Sequence, residues 1–434
     1  MSPRWLPRVF ELPADAAALD RRLQRVAEPD RHIEKQVEAI IRAVRKRGAQ
    51  ALARYAEQFD GVRLSTRSIA IAPQRLKKAW AGQPAALKRA LRLAKRRIEA
   101  FHRRQKRRGW TARDGQGAVL IQRVLPLQSV GCYVPGGLAP LPSTLLMTVL
   151  PAKIAGVRRI VVVTPPLGGH KRNEVILAAA HLCGVREVYQ AGGAQAIAAL
   201  AFGAGPIPRV DKVVGPGDVW SQTAKRLLYG IIDIDMVAGP TEVLVVADST
   251  APPNLVAADL LAQAEHAPNA SAWAILIGPY DVQSLLREIR RQTDTAARRE
   301  ILQASLRSQG AIVRVRTRAE AVELANRRAP EHLSIMARNP HALAAGVHSA
   351  GAIFLGLWTP EPIGDYVAGP NHVLPTGRTA RFFSPLSVGD FTRTDHIIRL
   401  SQKALRRLGP AAAAIAEAEG LPAHAQSVRE RARK

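Results

Sequence analysis

From Arg158 onward the chain alternates short β-branched runs with longer amphipathic segments. Ile160–Val163 predicts a strand, Asn173–Cys183 a helix closed by Gly184, Glu187–Gln190 a strand with Gly192-Gly193 at its turn, and Ala194–Phe202 the next helix. Val210–Val214 gives a further strand, followed by Gly215-Pro216-Gly217 and a helix over Asp218–Tyr229. The pattern then repeats with strand Glu242–Ala247, helix Asn254–His266, strand Ala272–Gly278, helix Val282–Gln292 and strand Ala311–Val315. Thr317 and Glu320 have capping-box spacing at the entry of one more helix, which Pro330 ends because proline cannot continue the hydrogen-bond ladder. Short strands alternating with helices imply mostly parallel sheets covered by helices, so the chain reads as α/β.

The flanking regions differ. Val37–Arg108 reads as mainly helical, and in its densest basic run, Leu87–Arg108, the apolar Leu91, Leu93, Ala94, Ile98 and Phe101 approximate one helical face with arginines on the other. Ser384–Phe391 is turn-rich, and the helix expected over Ala411–Gly420 is small and apolar, so the last fifty residues have little core of their own. Such a tail packs on the body of its own chain or on a partner subunit.

Composition narrows the class. A chain of 434 residues with 47% hydrophobic content is long enough for two or more domains. No window approaches the roughly 18 uninterrupted apolar residues of a membrane span, and Met1–Asp20 has no apolar signal-like core, so a soluble, unexported, cytoplasmic protein is expected. Cys132 and Cys183 are the only cysteines, in no CxxC arrangement, which excludes a disulfide framework and a thiolate zinc site. The 63 Lys+Arg against 35 Asp+Glu give a net charge of +28 and raise the question of an acidic partner. No aromatic interleaving or nucleic-acid module accompanies the charge, so the arginine-rich face reads as solvated surface rather than a specific nucleic-acid site.

Candidate chemistry lies in four segments. Gln263 and His266 stand one helical turn apart at the end of their helix, on one face. Asp365 and His372 fall in a Gly/Pro-stiffened loop, Gly364–Thr376. Glu331-His332 puts a carboxylate beside an imidazole at a helix-to-strand junction, a pairing suited to removing a hydroxyl proton and activating water. Glu419 and His424 sit on the tail. Nitrogen and oxygen donors without cysteine suit a catalytic rather than a structural zinc. No GxGxxG is present; Gly192-Gly193 and Gly215-Pro216-Gly217 stand where a helix N-terminus could hold a pyrophosphate, and fit tight strand-to-helix turns equally well.

From about Phe101 the segments Gly131–Gly137, Met147–Val157, Ala191–Phe202, Met236–Asp248, Ala258–His266, Ala329–Leu333, Gly364–Thr376, Ser384–Phe391 and Glu419–His424 are together similar to histidinol dehydrogenases. The resemblance implies a homodimer of two nested, incomplete Rossmann-like domains with small N- and C-terminal domains used in dimerisation. The implied divisions are an arm at 1–28, a larger metal and substrate domain at 29–132 and 241–386, an NAD-side domain at 133–240, and a tail at 387–434 that contacts the partner subunit. It implies one zinc per subunit, held by Gln263, His266 and Asp365 of one chain and His424 of the other, and NAD at Tyr133, Gln195 and Asp218. Thr241, Glu331, His332, Asp365, His372 and Glu419 take substrate positions beside the metal ligands, with Glu331 and His332 as the acid-base pair. The implied reaction is a four-electron, NAD-dependent oxidation of L-histidinol to L-histidine through bound L-histidinal. Two positions depart from the family pattern: Asp218 replaces the usual asparagine, and Thr241 the usual serine. A relative acting on another amino alcohol or a polyol is the main rival, and the presence of His372 and Glu419, which recognise histidinol in the family, argues against it.

Overall fold

The computed structural model describes residues 5–23, 30–136, 140–166, 168 and 174–433. Two parallel sheets form its frame. The first runs in spatial order Glu187–Gln190, Arg159–Thr164, Ser129–Tyr133, Lys212–Val214, Asp233–Ile234, every neighbouring pair parallel. The second runs Arg8–Glu11, Ala311–Val315, Ser271–Ile277, Glu242–Asp248, His332–Met336, Ala352–Leu355, again parallel throughout. Leaving out the N-terminal strand, both sheets have the same chain order of strands across the sheet, third, second, first, fourth, fifth, which is the first five places of a Rossmann arrangement. Their strands are continuous apolar runs because helices cover both faces: all of Ser271–Ile277 is buried, as is Glu242–Ala247.

The expected elements from Arg158 onward are present with small shifts of boundary. Ala311–Val315 coincides with its strand, and Thr317 and Glu320 form both halves of the capping box on Arg318–Arg328. The strand expected at Val210–Val214 is only three residues long, Lys212–Val214. The helix expected from Asn173 is described over Glu174–Leu182; Asn173, like Gly137, lies outside the described residues. Ser129–Tyr133 belongs to the five-stranded sheet, so a domain boundary after Cys132 would cut its central strand.

Helices Arg31–Arg47, Ala49–Asp60, Pro73–Ala81 and Ala85–Arg103 make up the early helical region. On the last of these the inward face differs from expectation: Leu91, Ala94, Ile98 and His102 are buried, whereas Leu93 and Phe101 are 42% and 37% exposed. The buried set advances by three, four and four residues, so His102 completes the stripe that Phe101 only flanks. Arg89, Arg92, Arg96 and Arg103 are exposed on the opposite side.

A third, antiparallel sheet joins Trp110–Arg113, Ala118–Pro126 and Thr392–Leu400. It leads into the tail, where Gln402–Ala418, longer than expected, packs against Pro422–Ala432. Ile398 and Ile415 are 70% and 61% exposed there. Among the described residues no helix is long and apolar enough to cross a membrane.

Candidate active site

Two sheet edges face one another across a cleft. The first sheet offers the carboxyl ends of Ser129–Tyr133 and Lys212–Val214, between which its strand order reverses, and Gly215, Pro216 and Gly217 line that wall. The second sheet offers the amino ends of Glu242–Asp248 and His332–Met336, so Thr241, Glu331 and His332 line the other. His266, Asp365 and His372 complete it.

Glu331 and His332 are held by the backbone of the neighbouring strand. Ala329 ends the preceding helix in the left-handed region at φ 44°, Pro330 forbids its continuation, and His332 opens the next strand. The N–H of Glu242 donates to Glu331 Oε2 at 2.9 Å, while its carbonyl lies 3.3 Å from His332 Nδ1 and accepts from it. Glu242 is itself pinned through its buried side chain, paired with Arg328 and accepting from the Gly377 N–H at 3.0 Å. His332 Nε2, on the far side of the ring, is buried without a hydrogen-bond partner and stands 3.5 Å from Asp365 Oδ1.

Asp365 was expected in a loop, but Glu361–Ile363 forms a helical turn that passes into a π-helical turn, Gly364–Ala368. Helix Ala85–Arg103 grips this segment. Arg97 donates from Nε to the Val367 carbonyl at 2.7 Å and from Nη2 to that of Ala368 at 3.2 Å. Three residues on, Asn371 donates to Met147 O at 2.7 Å and approaches His102 Nε2 at 3.3 Å. His372 Nδ1 donates to the Asp365 carbonyl at 2.9 Å, which leaves Nε2 beside Thr144 Oγ1 at 3.4 Å. His266 Nδ1 is likewise spent on helix-end carbonyls, at 3.1 and 3.3 Å, so its Nε2 lone pair is free toward the cleft.

Behind this front lies a buried polar layer. Gln263 is fully buried, with Nε2 2.9 and 3.3 Å from the two oxygens of Glu361 and Oε1 2.7 Å from Thr241 Oγ1. The same hydroxyl stands 2.6 Å from Glu331 Oε2. Glu361 Oε1 is 3.6 Å from His332 Nδ1. Burial pushes the carboxyls of Glu331 up to about 7 and Glu361 up to about 8, with His332 opposing both. Burial works to lower His332, but the carboxylates of Glu361, Glu331 and Asp365 outweigh it and carry the imidazole up to about 10. Burial also works to raise Asp365, yet His332, His372 and His266 hold it below the usual carboxylate value. Burial lowers the His372 imidazole below its ordinary value, with Asp365 opposing. Glu361 escapes the sequence reading; its only signal is an acid locked between Pro360 and Pro362 just before the Gly364 segment. His332, Glu361 and Asp365 bring one donor atom each within 4.8 Å of one another, a grouping that shares Asp365 with the expected metal set.

Tyr133, Gln195 and Asp218 are not among the residues that line the cleft: Tyr133 is buried behind the glycine turn, and its hydroxyl accepts from the Gly193 N–H at 3.1 Å at the start of helix Gly193–Phe202, which carries the buried Gln195. Asp218 caps helix Val219–Leu228, accepting from Ser221 N and Oγ at 2.9 Å. Glu419 and His424 are exposed on the tail and do not line this cleft.

The sequence pattern of one family, described as histidinol dehydrogenase, matches residues 23–432. The chain belongs to the histidinol dehydrogenase family. Curated histidinol dehydrogenases of Heliobacterium mobile and Geobacillus kaustophilus are 43% and 47% identical to it, over 96% and 91% of this chain and 97% and 93% of theirs. A crystal structure of histidinol dehydrogenase from Elizabethkingia anophelis superposes with a TM-score of 0.90 at 33% identity, covering 98% of both chains. The likeness thus extends over nearly the whole of this chain and of each of these relatives.

Proposed function

We propose that the protein is a histidinol dehydrogenase that oxidises L-histidinol to L-histidine in two NAD-dependent steps through bound L-histidinal, the last reaction of histidine biosynthesis. The observation that carries this reading is the buried Nε2 of His332, without a hydrogen-bond partner and 3.5 Å from Asp365 Oδ1, in a cleft whose other wall is a glycine turn at a sheet's carboxyl edge. Family membership supplies the substrate.

The residues fit a divalent cation. Gln263, His266 and Asp365 offer an amide, a free imidazole nitrogen and an ionised carboxylate, a nitrogen and oxygen set suited to zinc. In that arrangement Glu361 supports Gln263 from behind. His424 and Glu419 lie outside the cleft of their own chain, and the reading gives them to the cleft of a partner subunit in a homodimer. The opposite wall suits NAD, because a Cβ at Gly215 would strike the Tyr133 carbonyl and one at Gly217 Ser221 Oγ, so bare glycine backbone lines the cleft at the carboxyl edge of the sheet. Tyr133, Gln195 and Asp218 would contact the dinucleotide, which belongs to a cytoplasmic enzyme. When bound, zinc orients the amino alcohol and its charge offsets the carboxylates around His332, and NAD takes up the hydride of each oxidation.

The chain's own groups then move protons. With the cation's charge countering Glu361, Glu331 and Asp365, which otherwise hold the imidazole protonated, His332 Nε2 would be free to accept the alcohol proton as the carbinol carbon is oxidised to the aldehyde. Glu331, tuned to about 7 by burial, takes a proton from water attacking that aldehyde, and its anchors at Thr241 and the Glu242 N–H keep it aimed. His332 again accepts a proton as the hydrated aldehyde is oxidised to the acid. His372 and the partner's Glu419 take substrate positions in this reading.

Assay with L-histidinol and NAD should yield two NADH and one histidine per substrate, with activity lost to a chelator and restored by Zn2+. Oxidation of a different amino alcohol or polyol, with none of histidinol, would reject the substrate assignment; full turnover by metal-free protein would reject the zinc.

A further inference from the structure

Lys225 and Asp235 form an ion pair in which each side chain is only 1% exposed. No other lysine–carboxylate pair among the described residues has both partners so deeply buried. Such a pair forfeits hydration on both sides and holds a fold no better than a well-packed apolar pair of similar volume. Its placement gives it another task. Lys225, on helix Val219–Leu228, donates from Nζ to the Gly215 carbonyl at 3.1 Å. Asp235, just past the edge strand Asp233–Ile234, accepts from the Gly215 N–H at Oδ2 at 2.7 Å, and from the Met236 N–H at Oδ1, also at 2.7 Å. The N–H and the carbonyl of one glycine are therefore both held by one ion pair, which also ties a helix to a strand end.

That glycine opens the turn Gly215-Pro216-Gly217 on the cleft wall. Gly215 has φ +119°, and a Cβ there would stand 2.2 Å from the Tyr133 carbonyl. A Cβ on Gly217 would stand 2.1 Å from Ser221 Oγ and 3.0 Å from the Tyr133 ring. The turn thus presses against Tyr133 through two residues without side chains; the ring of Pro216 fixes only its own φ, and the glycine backbone on either side has the most freedom to lose. A surface that receives a ligand through backbone atoms gains affinity when it is already in place.

We propose that Lys225 and Asp235 are positioning residues that hold the Gly215–Gly217 turn in the shape that receives the dinucleotide. The inference rests on the NAD reading given above. A merely structural pair would weaken the fold, and with it every ligand equally.

The test uses full-length zinc-loaded protein without histidinol, in four forms: wild type, Lys225→Met, Asp235→Asn, and Lys225→Met with Asp235→Leu. NADH affinity is read by fluorescence titration, zinc affinity by competition with a chromophoric chelator, and stability by thermal melting. The expected result is that NADH binds roughly tenfold more weakly in every variant that folds, while zinc affinity stays within about twofold of wild type. The doubly apolar variant should melt closer to wild type than either single variant, yet keep the NADH defect. Wild-type NADH affinity in any folded variant, or NADH and zinc affinities falling together, would overturn the proposal. Absence of NADH binding in the wild type would instead overturn the NAD reading on which it rests.

Discussion

Glu331 and His332 are neighbours on the chain but face different surroundings. Glu331 accepts from the Glu242 N–H and sits against the Thr241 hydroxyl, whereas His332 Nε2 has no hydrogen-bond partner and stands 3.5 Å from Asp365 Oδ1. Two environments at adjacent positions are the arrangement expected for two proton tasks. Glu331→Gln keeps the size and loses the base, so it should slow conversion of histidinal to histidine roughly 10²–10⁴-fold while sparing the alcohol step; His332→Ala should slow both by a similar factor. Single-turnover measurements started from histidinol and from histidinal separate the two steps. Equal damage to both halves in the Glu331 variant would count against its role as the water-activating base.

At the scale of elements, helix Ala85–Arg103 sets the position of Asp365 and His372 through Arg97 and His102. His102 is buried and neutral: Nδ1 donates to the Ile98 carbonyl at 2.8 Å, and Nε2 faces the Asn371 amide. Burial lowers its pKa below the ordinary 6.5, so on acidification the unfolded chain takes up this proton first. The stability it contributes is fully present above about pH 6.5 and is lost as pH falls below that value. Urea midpoints between pH 8 and pH 5.5 should decline, and His102→Gln, which has no proton to gain, should flatten the decline; an unchanged slope would remove His102 from this role. The same helix marks how far sequence reading reaches. Its register was legible, yet Phe101 and His102 exchange places because two adjacent residues differ by only about 100° around the axis. The parallel strands were legible because burial on both faces makes them continuous β-branched runs, as in Arg159–Thr164 and Glu242–Asp248. Ala118–Pro126 and Thr392–Leu400 were not, since Gln122, Arg123, Asp395 and His396 interrupt any alternation and the pairing joins segments far apart in sequence. Among the site residues, Gln263, His266, Glu331, His332, Asp365 and His372 do converge, while the two prolines around Glu361 say nothing of its role, because only tertiary packing buries it beside Gln263 and His332.

For the whole molecule, the exposed His424 and Glu419 pose a question of ownership. If each cleft is completed by the other subunit's tail, mixing inactive His266→Ala and His424→Ala dimers under exchange should regenerate one intact cleft per mixed dimer. Activity should recover toward roughly a quarter of wild type for random exchange; no recovery despite verified exchange would return His424 to its own chain. The net charge of +28 leads to a separate expectation. A solvated arginine face binds DNA weakly, without sequence preference, and releases it by about 0.2 M salt, so a sequence-selective complex persisting there would contradict it. The strand Arg8–Glu11 lies in the six-stranded sheet against Ala311–Arg314, a partner made roughly three hundred residues later. At about 5–20 residues per second, the first strand leaves the ribosome some 15–60 s before the edge it must join exists. The five-stranded ladder, closed between Ser129 and Ile234, needs nothing synthesised after it. Birth order and assembly order are therefore opposed for this strand, which must wait for an edge made long after it.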